Sequence, residues 1–321
     1  MRSLGPTGRS PGSGVRIVGP PLYAKEIEME SQTLDQLDFE CYRQIDRMNA
    51  STLVHGCKSM LSLKRAIDWP KDEPTSAMQF GHKYHSLILE PEDFERRFCV
   101  MPNYSVMPEN VTAKKAPTTS WATKFCKDSK AKFIAEAESS GQEVITREEY
   151  DRGLAMCEAI AENEMASELI TTARKEVTLL GEISGIPFKC RIDLLGESFI
   201  ADLKGTANAA PVAFGRSAAN LRYGFKLSIY REVFRQNFLS MADVFLVAVE
   251  SAGDFDCCVY QVPDAVLDQG ISDAVRVIDQ FKECQASGNW PGVDRGEAPV
   301  QLYVPNWAMP EDDAVDWEAV Q

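Results

Sequence analysis

The stretch from Phe188 to Gly205, "FKCRIDLLGESFIADLKG", sets two aspartates and a lysine inside segments otherwise suited to burial. Two strand-like runs, Arg191 to Leu195 and Phe199 to Lys204, flank the turn-forming Gly196-Glu197-Ser198, which predicts a β-hairpin. Side chains alternate faces along a strand, so Asp202 and Lys204 share one face while Phe199, Ala201 and Leu203 take the other. With Leu195 set opposite Ile200, Asp193 falls opposite Asp202. Carboxylates facing each other across strands repel unless a cation lies between them. A divalent metal meets that requirement.

Outward from the hairpin, a strand is expected at Lys175 to Leu180, with the first hairpin strand reaching back to Ile186. Helices follow at about Pro211 to Ala219 and Leu221 to Arg235, then strands at Val244 to Glu250 and Phe255 to Val262, then a helix from Asp264 to Glu283. Strands bracketed by helices predict an α/β fold, a central mixed sheet flanked by helices. On the N-terminal side, Ser51 caps an expected helix running to about Ala66. "TSAMQFGHKYHSLILEPEDF" predicts a second helix, capped by Thr75 or Ser76 and stopped at Leu89 by the Glu90-Pro91 step. Ala77, Gly81 and His85 recur every four residues and form one stripe along it. A polar, lysine-bearing segment spans 103–145, and a long helix is expected from Arg147 to Thr171, with Leu154, Ala155, Ala159 and Ile160 facing inward. The Gly-, Pro- and Ser-rich composition of the first 22 residues or so predicts a flexible arm. The arm is expected over 1–45, the mixed stretch 23–45 having room for a short helix, followed by one domain over 46–309 and an acidic tail over 310–321.

No apolar run approaches the roughly 18 to 20 residues that cross a bilayer, and the first residues lack a signal peptide's apolar block. A cytoplasmic location is therefore expected. Nine scattered cysteines with no C-x-x-C pair argue against a zinc or iron–sulfur site and are read as reduced thiols. The net charge of −14 opposes nucleic-acid binding by the surface as a whole. A metal at the carboxylates would reverse the sign locally.

The carboxylates and Lys204 fit phosphodiester hydrolysis. Two carboxylates can hold Mg²⁺ ions that activate water and stabilise the leaving oxygen, and a lysine on the same face can stabilise developing negative charge. An ordinary surface hairpin with an Asp–Lys pair is the plain alternative, since D-x-K alone is common. The ordered set is more specific: Gly81-x-x-x-His85, Glu176, Asp193, Asp202-Leu203-Lys204, Tyr223 and Tyr230. With "AMQFGHKYHSLILEPEDFERRF", "REEYDRGLAMCEAI", "FLVAVE", "GNWPG" and "LYVPNWA", this set resembles the RecE-type (exonuclease VIII-like) exonucleases of phage recombination systems, within the PD-(D/E)XK nuclease superfamily. The likeness runs from about Ala50 to Trp307.

What the resemblance implies is a PD-(D/E)XK core in which Asp193, Asp202 and His85 hold Mg²⁺, or Mn²⁺. It further implies that Lys204 assists the attacking water, Glu176 completes the site and Tyr230 lines it. The implied activity is 5′→3′ digestion of linear double-stranded DNA, leaving 3′ overhangs for a phage single-strand annealing protein. A ring-shaped homo-oligomer around the DNA is implied too. Tyr223, Lys226, Lys114, Lys115 and Lys124 are candidate substrate contacts. Lys226 stands where the family usually has glutamine, and Gly205 where threonine usually follows the lysine. A nuclease of the same fold acting on single strands or internal sites, and a weakened fold that binds DNA or protein without cutting, remain alternative readings.

Overall fold

A computed structural model describes residues 32–35, 37–69, 76–102, 124–294, 299 and 301–302. Its strands are β1 (Gln32–Leu34), β2 (Phe98–Val100), β3 (Glu143–Ile145), β4 (Arg174–Ile183), β5 (Ile186–Leu195), β6 (Phe199–Thr206), β7 (Asp243–Glu250) and β8 (Cys257–Gln261). The helices are α1 (Phe39–Gln44), α2 (Ala50–Leu53), α3 (Met60–Asp68), α4 (Ser76–Leu89), α5 (Pro91–Arg97), α6 (Lys124–Ser139), α7 (Arg147–Glu162), α8 (Glu164–Thr172), α9 (Pro211–Asn220), α10 (Tyr223–Phe238) and α11 (Asp264–Ser287).

Six strands form the main sheet in the order β1-β4-β5-β6-β7-β8. Among the described residues only the β6–β7 pairing in it is parallel, and the α9–α10 connection provides the crossover that a parallel pair needs. One face buries Phe188, Ile192 and Ile200 against α10 and α11, with Leu53 and Leu63 from α2 and α3. The other buries Leu194, Ala201, Leu203 and Val247 against Tyr84 of α4, Met156 of α7 and Leu169 of α8. Helices on both faces around a mixed sheet are the α/β architecture expected from the strand and helix order. Close helix contact has a local cause at Gly270, where a Cβ would come within 2.6 Å of the Gly224 carbonyl oxygen on α10.

The helix expected from Ser51 is broken. Asn49 caps α2, a 3₁₀ turn spans Val54–Cys57, and Ser59 caps α3 through its hydroxyl. The long helix expected over Arg147–Thr171 is two helices, because Asn163 accepts the Ala166 N–H as an N-cap while donating to the Cys257 carbonyl. Its buried positions are Gly153, Met156 and Ile160, whereas Leu154, Ala155 and Ala159 are only part-buried. α4 does end at Leu89, with Pro91 opening α5.

Structure also begins earlier than residue 46. β1 pairs with β4, and the Lys189 ammonium gathers the carbonyl oxygens of Tyr42, Arg43 and Ile45 at the end of α1. Cationic donors at a helix C-terminus satisfy its unpaired carbonyls, so buried Lys189 fixes this segment to the sheet. The first 22 residues, Lys114, Lys115 and the tail over 310–321 lie outside the described residues. No helix among the described residues is long and apolar enough to cross a membrane.

Candidate active site

The hairpin register is the expected one, Leu195 opposite Ile200 and Leu194 opposite Ala201, but the ladder stops there. Asp193 Oδ2 instead accepts the N–H of Leu203 at 2.8 Å. A side chain thus takes over a ladder hydrogen bond, and the strands part where both aspartates sit. Ala201 and Leu203 pack under α4, α7 and α8, so Asp202 and Lys204 project from the opposite face of β6, towards α10.

β4 is distorted at the same level. Its pairing with β5 runs Lys175 to Leu194 and then Val177 to Ile192, omitting Glu176, whose φ of 54° is left-handed. That conformation costs a non-glycine residue about 1–2 kcal/mol, and such outliers concentrate at functional sites held by their surroundings. Arg191 supplies part of the hold: its Nε donates to Glu176 Oε2 at 2.5 Å, and its Nη1 to the Leu37 carbonyl at 2.7 Å. Glu176 Oε1 is left 4.0 Å from Nδ1 of His85. His85 comes from α4, and its Nδ1 lies 3.7 Å from Asp193 Oδ2.

Tyr84 positions the neighbouring turn of α4. Its ring lies 4.9 Å from the His85 ring, and its hydroxyl accepts the N–H of Gly205. A Cβ at residue 205 would stand 2.9 Å from that hydroxyl. Glycine follows Lys204 here because Tyr84 occupies the space that a side chain would need.

Asp202 is buried and ion-paired with Lys204. The carboxylate oxygen that meets the ammonium is Oδ2. Burial raises the carboxyl pKa values of both Asp193 and Asp202, against the pull of Lys204. Glu176 is pushed up to about 7 by burial and then by Asp193, with Arg191 opposing. His85 is pulled down to about 4 by burial and then by Lys204, which keeps its imidazole neutral and able to ligate. Burial also works against the Lys204 ammonium, but Asp202 and then Asp193 outweigh it and hold its pKa above the ordinary value.

Donor atoms of His85, Glu176 and Asp193 lie within 4.8 Å of one another. Two carboxylates and an imidazole suit a hard or borderline divalent ion such as Mg²⁺ or Mn²⁺, and the Asp202–Lys204 pair stands close by. The residues therefore fit a metal. The atoms grouped closely enough to share an ion belong to Glu176, His85 and Asp193; Asp202, also expected as a ligand, contacts Lys204 beside them. Sequence reasoning passed over Arg191 and Tyr84. Arg191 lies two residues before Asp193 on the same strand, and Tyr84 is the partner that makes sense of Gly205.

Tyr223 and Lys226 stand at the start of α10. The Lys204 and Lys226 ammonium groups lie 5.5 Å and 5.7 Å from the Tyr223 ring centroid. Burial, and then Lys204, lowers the Lys226 pKa. Tyr230 packs against the core on the α10 side, and burial followed by Asp202 raises its hydroxyl well above the ordinary value. Lys124 opens α6, away from these residues in sequence.

A family model described as "PDDEXK-like domain of unknown function (DUF3799)" matches residues 42–298. A crystal structure of a presumed exonuclease from Eubacterium rectale superposes with a TM-score of 0.55 at 14% identity, over 84% of this chain and 96% of that one. No curated protein matches the sequence.

Proposed function

Because the chain belongs to this PDDEXK-like domain family, we propose that it is a metal-dependent DNA exonuclease of the RecE type. It digests linear double-stranded DNA from 5′ ends and leaves 3′ single strands for a phage annealing protein, in the cytoplasm of a bacterial host. The observation that carries this reading is the convergence of His85, Glu176 and Asp193 on one point beside the Asp202–Lys204 pair.

A bound Mg²⁺, or Mn²⁺, would lower the pKa of a water molecule and offset charge on the phosphate during in-line attack. Glu176, Asp193 and His85 would hold it, and Arg191 fixes Glu176 by engaging one of its carboxylate oxygens. Lys204, kept protonated by Asp202 and Asp193, holds a full positive charge where negative charge grows on the phosphoryl oxygens. Tyr230 would line the site from α10. In a ring of identical copies, as the RecE likeness implies, the acidic charge could face outward while the DNA threads past these sites. Incubation with linear and with covalently closed duplex DNA tests the exonuclease reading: the linear form disappears and the closed form survives. Equal loss of both would make the protein an endonuclease.

A further inference from the structure

The lysines around the sheet are differently provided for. Lys189 has three carbonyl acceptors, Lys83 has Glu143 and Glu149, and Lys204 has Asp202. Lys226 is part-buried on the first turn of α10, yet no carboxylate among the described residues lies within 4.0 Å of its ammonium group. Its contact is the Tyr223 ring, which the Lys204 ammonium also approaches. Two ammonium groups sharing one aromatic ring repel each other, and an incompletely solvated cation with no carboxylate in direct contact is costly. An anion arriving at this edge of the site relieves both costs. A neutral residue at position 226 would gain nothing comparable.

We infer that Lys226 is a substrate-positioning residue that binds a backbone phosphate of the DNA next to the one being cut. The inference rests on the nuclease reading above. A lysine holds phosphate as a point charge, so its share of the binding is electrostatic and salt-sensitive. Lys226 therefore governs how tightly the strand is held, while Lys204 and the carboxylates govern how fast it is cut.

The test is steady-state cleavage of fluorescein-labelled linear duplex in Mg²⁺ over a KCl series, with wild type, Lys226→Ala, Lys226→Gln and Lys226→Arg. Circular dichroism confirms folding of each. Lys226→Ala is expected to raise KM about tenfold or more, as for loss of a hydrogen bond to a charged group, with kcat little changed. The slope of log KM against log salt becomes shallower by about 0.9, one phosphate contact's worth. Lys226→Gln shares the shallow slope and Lys226→Arg restores the wild-type one. An unchanged KM and slope, or a fall in kcat alone, overturns the inference. A wild type that cleaves nothing overturns the nuclease reading instead, and fluorescence anisotropy of the same duplex then tests Lys226 through the same salt slope.

Discussion

Asp193 and Leu203 are joined across the mouth of the hairpin by a 2.8 Å hydrogen bond from backbone N–H to carboxylate. One side chain thereby serves the strand pairing and also belongs to the candidate metal-binding group, and two substitutions separate these duties. Asp193→Asn keeps an acceptor for Leu203 while removing the charge; Asp193→Ala removes both. The alanine variant should lose about 1–3 kcal/mol of stability in chelator through the stranded N–H, and the asparagine variant little. Thermal melts with and without Mn²⁺ check this: the ion should raise the wild-type midpoint and leave both variants unmoved.

Glu176 gives the chelated protein a pH dependence. Its carboxyl rises from an ordinary 4.5 to about 7, burial being the larger cause and Asp193 the next. Between those values the folded state holds a proton that the unfolded chain has released, so stability falls as pH rises through the window. The raised carboxyl values of Asp193 and Asp202 act with the same sign. Denaturant midpoints in chelator should decline for the wild type relative to Glu176→Gln between about pH 4.5 and 7. Mg²⁺ should remove the difference in slope. Parallel curves in chelator would contradict the burial of Glu176.

Gly205 and Tyr84 form a size-matched pair, with the tyrosine hydroxyl where a Cβ would be crowded. Gly205→Thr alone should cost about 1–3 kcal/mol by overpacking. Combined with Tyr84→Ala, which opens the space, it should cost less than the sum of the single effects by about 0.5–3 kcal/mol. A double-mutant cycle from urea denaturation measures that coupling, and additivity would mean that the two residues do not compete for space.

Lys189 anchors α1 through three carbonyls at 2.8 to 3.1 Å. Lys189→Met retains the apolar stem and removes the donors. Hydrogen exchange at residues 39–45 should quicken while β5 stays protected. Global stability should fall by about 1–3 kcal/mol. Unchanged exchange over that segment would show that α1 is held by other contacts.

The parts of this fold legible in the sequence are those governed by local rules. Alternation and the Gly196 turn placed β5 and β6 in register, and Pro91 ended α4. The breaks at Ser59 and Asn163 also had readable caps, but apolar spacing on both sides masked them. Other features depend on distant partners. Residues 37–45 are ordered by Lys189 and Arg191, well over a hundred positions away in the chain. The left-handed turn at Glu176 that brings its carboxylate beside His85 has no local signature either, since neither glycine nor asparagine marks it. The candidate site's residues could therefore be proposed from sequence, whereas the grouping of His85, Glu176 and Asp193 beside the Asp202–Lys204 pair required the geometry.

The most direct measurement is digestion of linear duplex DNA labelled separately at its 5′ and 3′ ends, with and without Mg²⁺, by wild type and Lys204→Ala. Mg²⁺-dependent release that begins at the 5′ label and falls by about 10² or more in the variant, as when one transition-state charge stabiliser is removed, is the predicted result. No release from either end by folded, Mg²⁺-supplied wild type, or release that Lys204→Ala leaves intact, would contradict a hydrolytic centre built on Asp193, Glu176, His85 and Lys204.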